Sequence, residues 1–268
     1  ALFLACGFGI GAAAILPHYV HVMRASWTIF AAAVLALAAL PFVAPEINGS
    51  RRWFALPGFS IQPSEFAKLA VIVVLAAVLR FKDRAKLTET LLVPMLITGV
   101  PALLILKQPD LGSTLVFGPI LLSMCYAAGA SGRTILLLLG SVAAIGLLGA
   151  NDLLHEYQRD RIAAWLDHWT WTEADLSTPQ VADVLRNDGY QPWQALIAIG
   201  AGGVTGFGIG QGPQNRFDFL PYRSEDYVFA VVAEETGFVG CAVVLSLMAV
   251  VVFRLLEIAQ RTRERFGR

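Results

Sequence analysis

Gly200-Ala201-Gly202-Gly203-Val204-Thr205-Gly206-Phe207-Gly208-Ile209-Gly210-Gln211-Gly212 leads through Phe219-Leu220-Pro221 to Asp226-Tyr227-Val228-Phe229-Ala230 and Glu234-Glu235-Thr236-Gly237, with aliphatic runs on either side. Lipid penalises ionisable groups and open backbone, so such a stretch survives at membrane depth only beside protein or a water-filled cavity. It marks a site within a membrane protein.

Composition points the same way. Charged residues make up only 15% of the 268, and apolar runs recur along nearly the whole chain. No soluble domain of this length needs so many. The expected fold is all-α, a polytopic integral membrane protein forming one transmembrane domain over residues 1–268. Crossing the hydrocarbon core takes about 20 helical residues. Seven segments are candidates: 1–16, 26–44, 64–80, 89–107, 112–129, 133–150 and 228–254, with a long, partly helical outer loop over 151–227.

The net charge is zero, yet the charges are segregated. Arg80-Phe81-Lys82-Asp83-Arg84-Ala85-Lys86 is a basic knot, and the tail carries Arg254, Arg261, Arg263, Arg265 and Arg268 against Glu257 and Glu264. Short basic connections stay inside, which places Arg268 inside and Ala1 outside. Residues 17–25, 81–88, 130–132 and the tail then form one set of connections, and 45–63, 108–111 and 151–227 the other. Only the second set is rich in Pro, Trp, Gln and Asp, so the chemistry is expected there. Ala1 begins within an apolar stretch with no charged leader, so the chain reads as one that starts partway into a protein. Cys6, Cys125 and Cys241 are far apart in apolar runs and read as small buried hydrophobes.

Within the long loop, Leu153 to Leu166 has a helical rhythm suited to the membrane surface, and Pro179 to Leu185 reads as a second helical stretch. Ala195 to Ile199 is apolar but too short to span.

Several side chains are candidates for chemistry. Asp226 precedes the last apolar helix and suits either a helix cap or a base at a membrane mouth. Glu234 and Glu235 follow about 100° apart on that helix, so at least one must face protein or water. The glycines permit positive φ and close approach, either to present amides to a phosphate or for irregular packing. Arg51-Arg52-Trp53 pairs guanidinium groups with an indole, for phosphate and sugar or for interfacial anchoring. Ser64 is a candidate cap, Glu65 and Lys68 lie three apart on one helical face, and Asp110 follows Pro109 as the expected cap of the next helix. Arg159 and Arg161 are placed to meet an anionic lipid headgroup. The four histidines are scattered without metal-ligand spacing.

Taken in order, Asn48-Gly49-Ser50-Arg51-Arg52-Trp53, Gln62-Pro63-Ser64-Glu65-Phe66-Ala67-Lys68, Gln108-Pro109-Asp110-Leu111-Gly112, Tyr157-Gln158-Arg159-Asp160-Arg161, the glycine stretch, Asp226-Tyr227-Val228-Phe229-Ala230 and Ala233-Glu234-Glu235-Thr236-Gly237 strongly resemble the SEDS family (shape, elongation, division and sporulation). The RodA branch is matched more closely than the FtsW branch. The resemblance implies a ten-span helical fold in the bacterial cytoplasmic membrane and a peptidoglycan glycosyltransferase that polymerises lipid II on the outer face, for cell elongation and shape. It implies a class B penicillin-binding protein as transpeptidase partner, and membrane lipids rather than nucleic acid as surroundings. Carried over, the family's essential outer-loop aspartate falls on Asp226, its outer-loop tryptophan on Trp53, its charged cavity pair on Glu65 and Lys68, and its turn aspartate on Asp110. Seven spans against ten imply that the family's first and last two helices are absent. The family's late Ser-Tyr-Gly-Gly segment is also missing, and Tyr222-Arg223-Ser224-Glu225 stands where His-Thr is commoner.

The expected reaction joins an acceptor 4-hydroxyl to the donor anomeric carbon as undecaprenyl pyrophosphate leaves. It needs a base, assigned to Asp226, and positive charge for the pyrophosphate, sought among Arg52, Lys68, Arg159 and Arg161. A divalent cation, Mg or Mn, is a further candidate, although no residue spacing indicates a site. The alternatives are a lipid II flippase and a non-catalytic scaffold for a transpeptidase; the almost purely aliphatic inner halves of the helices weigh against the flippase.

Overall fold

The computed structural model describes residues 7–9, 11–13, 16–46, 50–56, 59–80, 87–149, 190–217, 219, 227–262, 264 and 266–267. The chain forms two compact units, Ala1–Leu154 with Ala259–Arg268, and His155–Ile258. The first contains α1 (Tyr19–Arg24), α2 (Ser26–Val43), β1 (Phe54–Leu56), β2 (Phe59–Ile61), α3 (Pro63–Leu79), α4 (Leu87–Leu106), α5 (Leu111–Ala127) and α6 (Gly132–Gly149). The second contains α7 (Tyr190–Ala201), α8 (Pro213–Arg216) and most of α9 (Val228–Arg261). The helical stretches expected over 153–166 and 179–185 lie outside the described residues.

Helices occupy the apolar runs because a chain in lipid must satisfy every backbone amide and carbonyl within itself. In the first unit α3 is central, packing against α2, α4 and α5. Its buried residues Ala67, Ala70, Val71, Val74 and Leu75 recur at helical spacing and form one stripe. Leu37, Leu40, Ile105, Phe117, Leu121 and Cys125 close the core around it. Small Ala67 and Ala70 allow close approach, and in lipid the gain is van der Waals packing rather than removal from water. The outward residues are equally apolar: Leu35, Leu69, Leu96, Leu115 and Leu136 are all exposed. A surface built this way faces lipid. By length and composition, Ser26–Val43 and Val228–Arg261 suffice to cross a membrane, and Leu92–Leu106, Leu111–Ala127 and Gly132–Ser141 are shorter apolar helices among the described residues.

The connections of this unit gather at two ends. Tyr19 stacks on Phe266 with ring centroids 6.4 Å apart, and the Arg80 guanidinium reaches the Met23 sulfur, so members of the first set meet. Members of the second set meet through Arg52, Gln62 and Asp110. Two local elements were not anticipated inside these connections, the short α1 and the antiparallel hairpin that pairs Phe54 with Ile61.

In the second unit α7 is 12 residues long, about 18 Å of helix, well short of a hydrocarbon core of about 30 Å. Helix α9 runs on beyond the expected end to Arg261, and its ladder breaks at Gly237, where φ is 65° and ψ −164°.

Candidate active site

Two polar constructions stand out, one in each unit. In the first, the N-termini of α3 and α5 lie at the same end, joined by a hydrogen bond from Gln62 Nε2 to Asp110 Oδ2 at 3.2 Å. Helix α3 opens with Pro63, which has no amide to lose and a φ already helical. Gln62 is therefore its N-cap; Ser64, the expected cap, is instead a buried residue of the first turn. Asp110 caps α5 as anticipated: Oδ1 accepts the Ser113 amide at 3.1 Å, and its backbone oxygen accepts Thr114 Oγ1 at 2.7 Å.

The turn before that cap is held by side chains that supply donors the backbone lacks. Pro41 inside α2 has no N–H, so the carbonyl of Leu37 loses its ladder partner, and buried Gln108 donates Nε2 to it at 3.1 Å. Pro45 likewise cannot serve the Pro41 carbonyl, which accepts Arg51 Nη1 at 2.8 Å. Arg52 donates Nε to the Gln108 carbonyl at 2.7 Å and Nη2 to the Pro109 carbonyl. Its planar fork thus grips the turn that presents Asp110, a role the sequence did not assign to it. Trp53 follows at the start of the hairpin and is partly exposed.

One turn into α3, Lys68 Nζ and Glu65 Oε1 form an ion pair at 2.7 Å, with side chains 20% and 56% exposed. Surrounded by lipid-facing Phe66 and Leu69, this pair keeps both charges compensated while leaving them reachable. The structure therefore joins Gln62 directly to Asp110, ties Arg52 to the two residues before Asp110, and places Glu65 and Lys68 on the helix that Gln62 caps. Asp226, Arg159 and Arg161 lie outside the described residues.

In the second unit the glycine stretch is spliced into the break of α9. A continuous helix would bond Phe238 N to Glu234 O and Val239 N to Glu235 O. Instead Glu234 O accepts Phe207 N at 3.0 Å and Glu235 O accepts Gly208 N at 2.9 Å. Phe238 N and Val239 N donate to Gly203 O and Val204 O at 2.9 and 3.1 Å. Both bonds lost at the break are replaced in full. The contact is backbone on backbone: a Cβ on Gly202 would overlap the Ala233 carbonyl, one on Gly206 the Glu235 carbonyl, and one on Gly237 the Gly206 amide. Of the two uses left open for the glycines, the described ones at 202, 203, 206 and 208 make this joint. Glu234 is fully buried beside it, and its Oε1 accepts the Gln214 amide at 2.7 Å.

Among the described residues no three His, Cys, Asp or Glu side chains converge to hold a metal ion.

Comparison with known proteins identifies the family. A family model described as "Cell cycle protein" and covering FtsW, RodA and SpoVE matches residues 1–268. A probable peptidoglycan glycosyltransferase FtsW of Geobacter sulfurreducens is 34% identical over 98% of this chain and 67% of its own length. The corresponding proteins of Halomonas elongata and Mycobacterium tuberculosis are each 38% identical, over 85% and 88% of this chain but 54% and 42% of their own. Among solved structures, one described as a peptidoglycan synthase complex coordinating polymerisation and crosslinking superposes with a TM-score of 0.71 at 27% identity, covering 98% of this chain and 70% of that one. The rod shape determining protein RodA of Thermus thermophilus gives a TM-score of 0.63 at 26% identity, covering 98% and 67%. Both branches are represented, FtsW among the relatives and RodA among the structures. The chain belongs to the FtsW/RodA/SpoVE family of membrane proteins, the SEDS family.

Proposed function

We propose that the protein is a peptidoglycan glycosyltransferase that polymerises lipid II on the outer face of the bacterial cytoplasmic membrane. The observation that carries this reading is the 34% identity over 98% of the chain to a relative named as a probable glycosyltransferase of this kind. One described feature, the Lys68–Glu65 pair, supports the reading. A leaving pyrophosphate needs fixed positive charge in a site of low dielectric, where preorganised charge is most effective. Lys68 offers an ammonium group held by Glu65 beside an apolar, lipid-facing surface on which polyprenyl tails can lie.

In this reading Asp226 takes the proton of the acceptor 4-hydroxyl as the oxygen attacks the donor anomeric carbon. The new glycosidic bond forms while the bond to pyrophosphate breaks. Lys68, Arg159 and Arg161 are the candidates from which the pyrophosphate charge is compensated. Arg52 acts through the turn it grips, setting Asp110, and Trp53 offers an indole face to a sugar. A class B penicillin-binding protein is the proposed partner, in keeping with the synthase complex whose structure this chain resembles.

The test is Asp226→Asn in the membrane-embedded protein with its transpeptidase partner. The amide cannot accept the proton at neutral pH, so polymerisation is expected to fall by about a hundredfold or more. Full polymerisation by this variant would leave Asp226 a helix cap and favour the scaffold reading.

A further inference from the structure

The cations near the Asp110 end of the first unit differ in what holds them. Arg51 donates to the Pro41 carbonyl and pairs with Glu46 at 3.6 Å. Arg52 is committed to the Gln108 and Pro109 carbonyls, and Lys68 is paired with Glu65. Lys107 is exposed, and its ammonium makes no hydrogen bond or ion pair among the described residues. Its backbone is nevertheless fixed on both sides. Lys107 N donates to Leu103 O at 3.1 Å, and Gln108, which follows, is buried with its carbonyl gripped by Arg52.

This ammonium closes an apolar stripe. Leu92, Leu96, Val100 and Leu103 are all exposed and recur every three or four residues along α4. At about 100° per residue they fall with Lys107 inside about 80° of the helix surface, a row one side chain wide and about 22 Å long. Helical side chains lean toward the N-terminus, so the lysine stem lies back over Leu103 and its charge sits at headgroup depth.

We propose that this face of α4 docks the polyprenyl pyrophosphate of the substrate, with the tail along the stripe and the Lys107 ammonium on the pyrophosphate. The proposal rests on the polymerase reading above. Width and charge both favour this occupant over an ordinary phospholipid. A phospholipid brings two acyl chains and one phosphate, whereas a polyprenyl pyrophosphate brings a single chain and a more highly charged head. The single chain fits a single-file stripe, and the higher charge gains more from an ammonium beside lipid. Lys107 is thus a binding residue, and its effect belongs to KM rather than kcat.

The experiment uses the full-length protein in phosphatidylcholine nanodiscs and compares the parent with Lys107→Gln and Lys107→Arg, exposed changes that leave the core intact. Undecaprenyl pyrophosphate and phosphatidylglycerol are titrated in parallel, and initial polymerisation rates are read against lipid II concentration with the transpeptidase partner. Lys107→Gln is expected to bind undecaprenyl pyrophosphate about tenfold more weakly, with phosphatidylglycerol within about twofold of the parent. KM for lipid II should rise about tenfold while kcat stays within about threefold. Lys107→Arg keeps the charge and should remain within about threefold of the parent in every readout. Leu96→Ala combined with Leu103→Ala thins the stripe and should weaken undecaprenyl pyrophosphate binding about threefold. Parent-like binding by Lys107→Gln or by the double variant, equal losses for both lipids, or a fall in kcat at unchanged KM would each overturn the docking surface. A parent that makes no polymer, while Lys107→Gln still loses undecaprenyl pyrophosphate, would overturn the polymerase reading and leave the docking surface standing.

Discussion

At the scale of the residue, Gln108 and Arg51 are committed to carbonyls that prolines leave open. Gln108→Leu removes the donor to Leu37 O and leaves a buried carbonyl orphaned, which costs about 1–3 kcal/mol. Thermal unfolding of the protein in nanodiscs should register that loss. Arg52→Lys is expected to destabilise nearly as much as Arg52→Ala, because an ammonium cannot reproduce the planar fork that spans two successive carbonyls. Recovery of parent stability by Lys would show that charge alone matters at this position. The Asp110 cap was legible in the sequence, since Pro-Asp ahead of an apolar run is a local signal. The grip of Arg52 was not. Its partners lie 56 and 57 residues away and are backbone oxygens, which carry no residue-type signature.

At the scale of the element, the glycines divide by what surrounds them. Gly206 has a φ of +73° and faces the Glu235 carbonyl, whereas a Cβ on Gly99 in α4 meets nothing within 4 Å. Gly206→Ala should therefore destabilise by about 1–3 kcal/mol or more from strain and overlap. Gly99→Ala, relieving a flexible helix interior, should be neutral or stabilising by up to about 1 kcal/mol. Paired melting curves in one detergent check both, and equal shifts would contradict the splice. The apolar runs predicted the helices well because lipid permits little else; α2 through α6 start and end within a few residues of the expected limits. The splice escaped the sequence because the glycines declare only that close approach is allowed. What approaches them, the broken ladder at Gly237, is a long-range fact of packing.

At the scale of the whole molecule, the segregation of charge assigns sides. With Cys6, Cys125 and Cys241 replaced by alanine, a cysteine at Glu46 should react with an impermeant maleimide from the outer solution, and one at Arg133 should not. Reversed labelling would invert the orientation proposed for the active site. The chain spans 42% to 67% of the length of the relatives described above, so the enzymatic reading concerns the full-length protein. The measurement that tests this reading most directly is lipid II polymerisation by that protein with its transpeptidase partner, whose own transferase activity has been excluded, run beside Asp226→Ala. Glycan strands from the parent and none from the folded variant are predicted. Equal polymer from both would contradict the role of Asp226, and no polymer from either would contradict the polymerase itself.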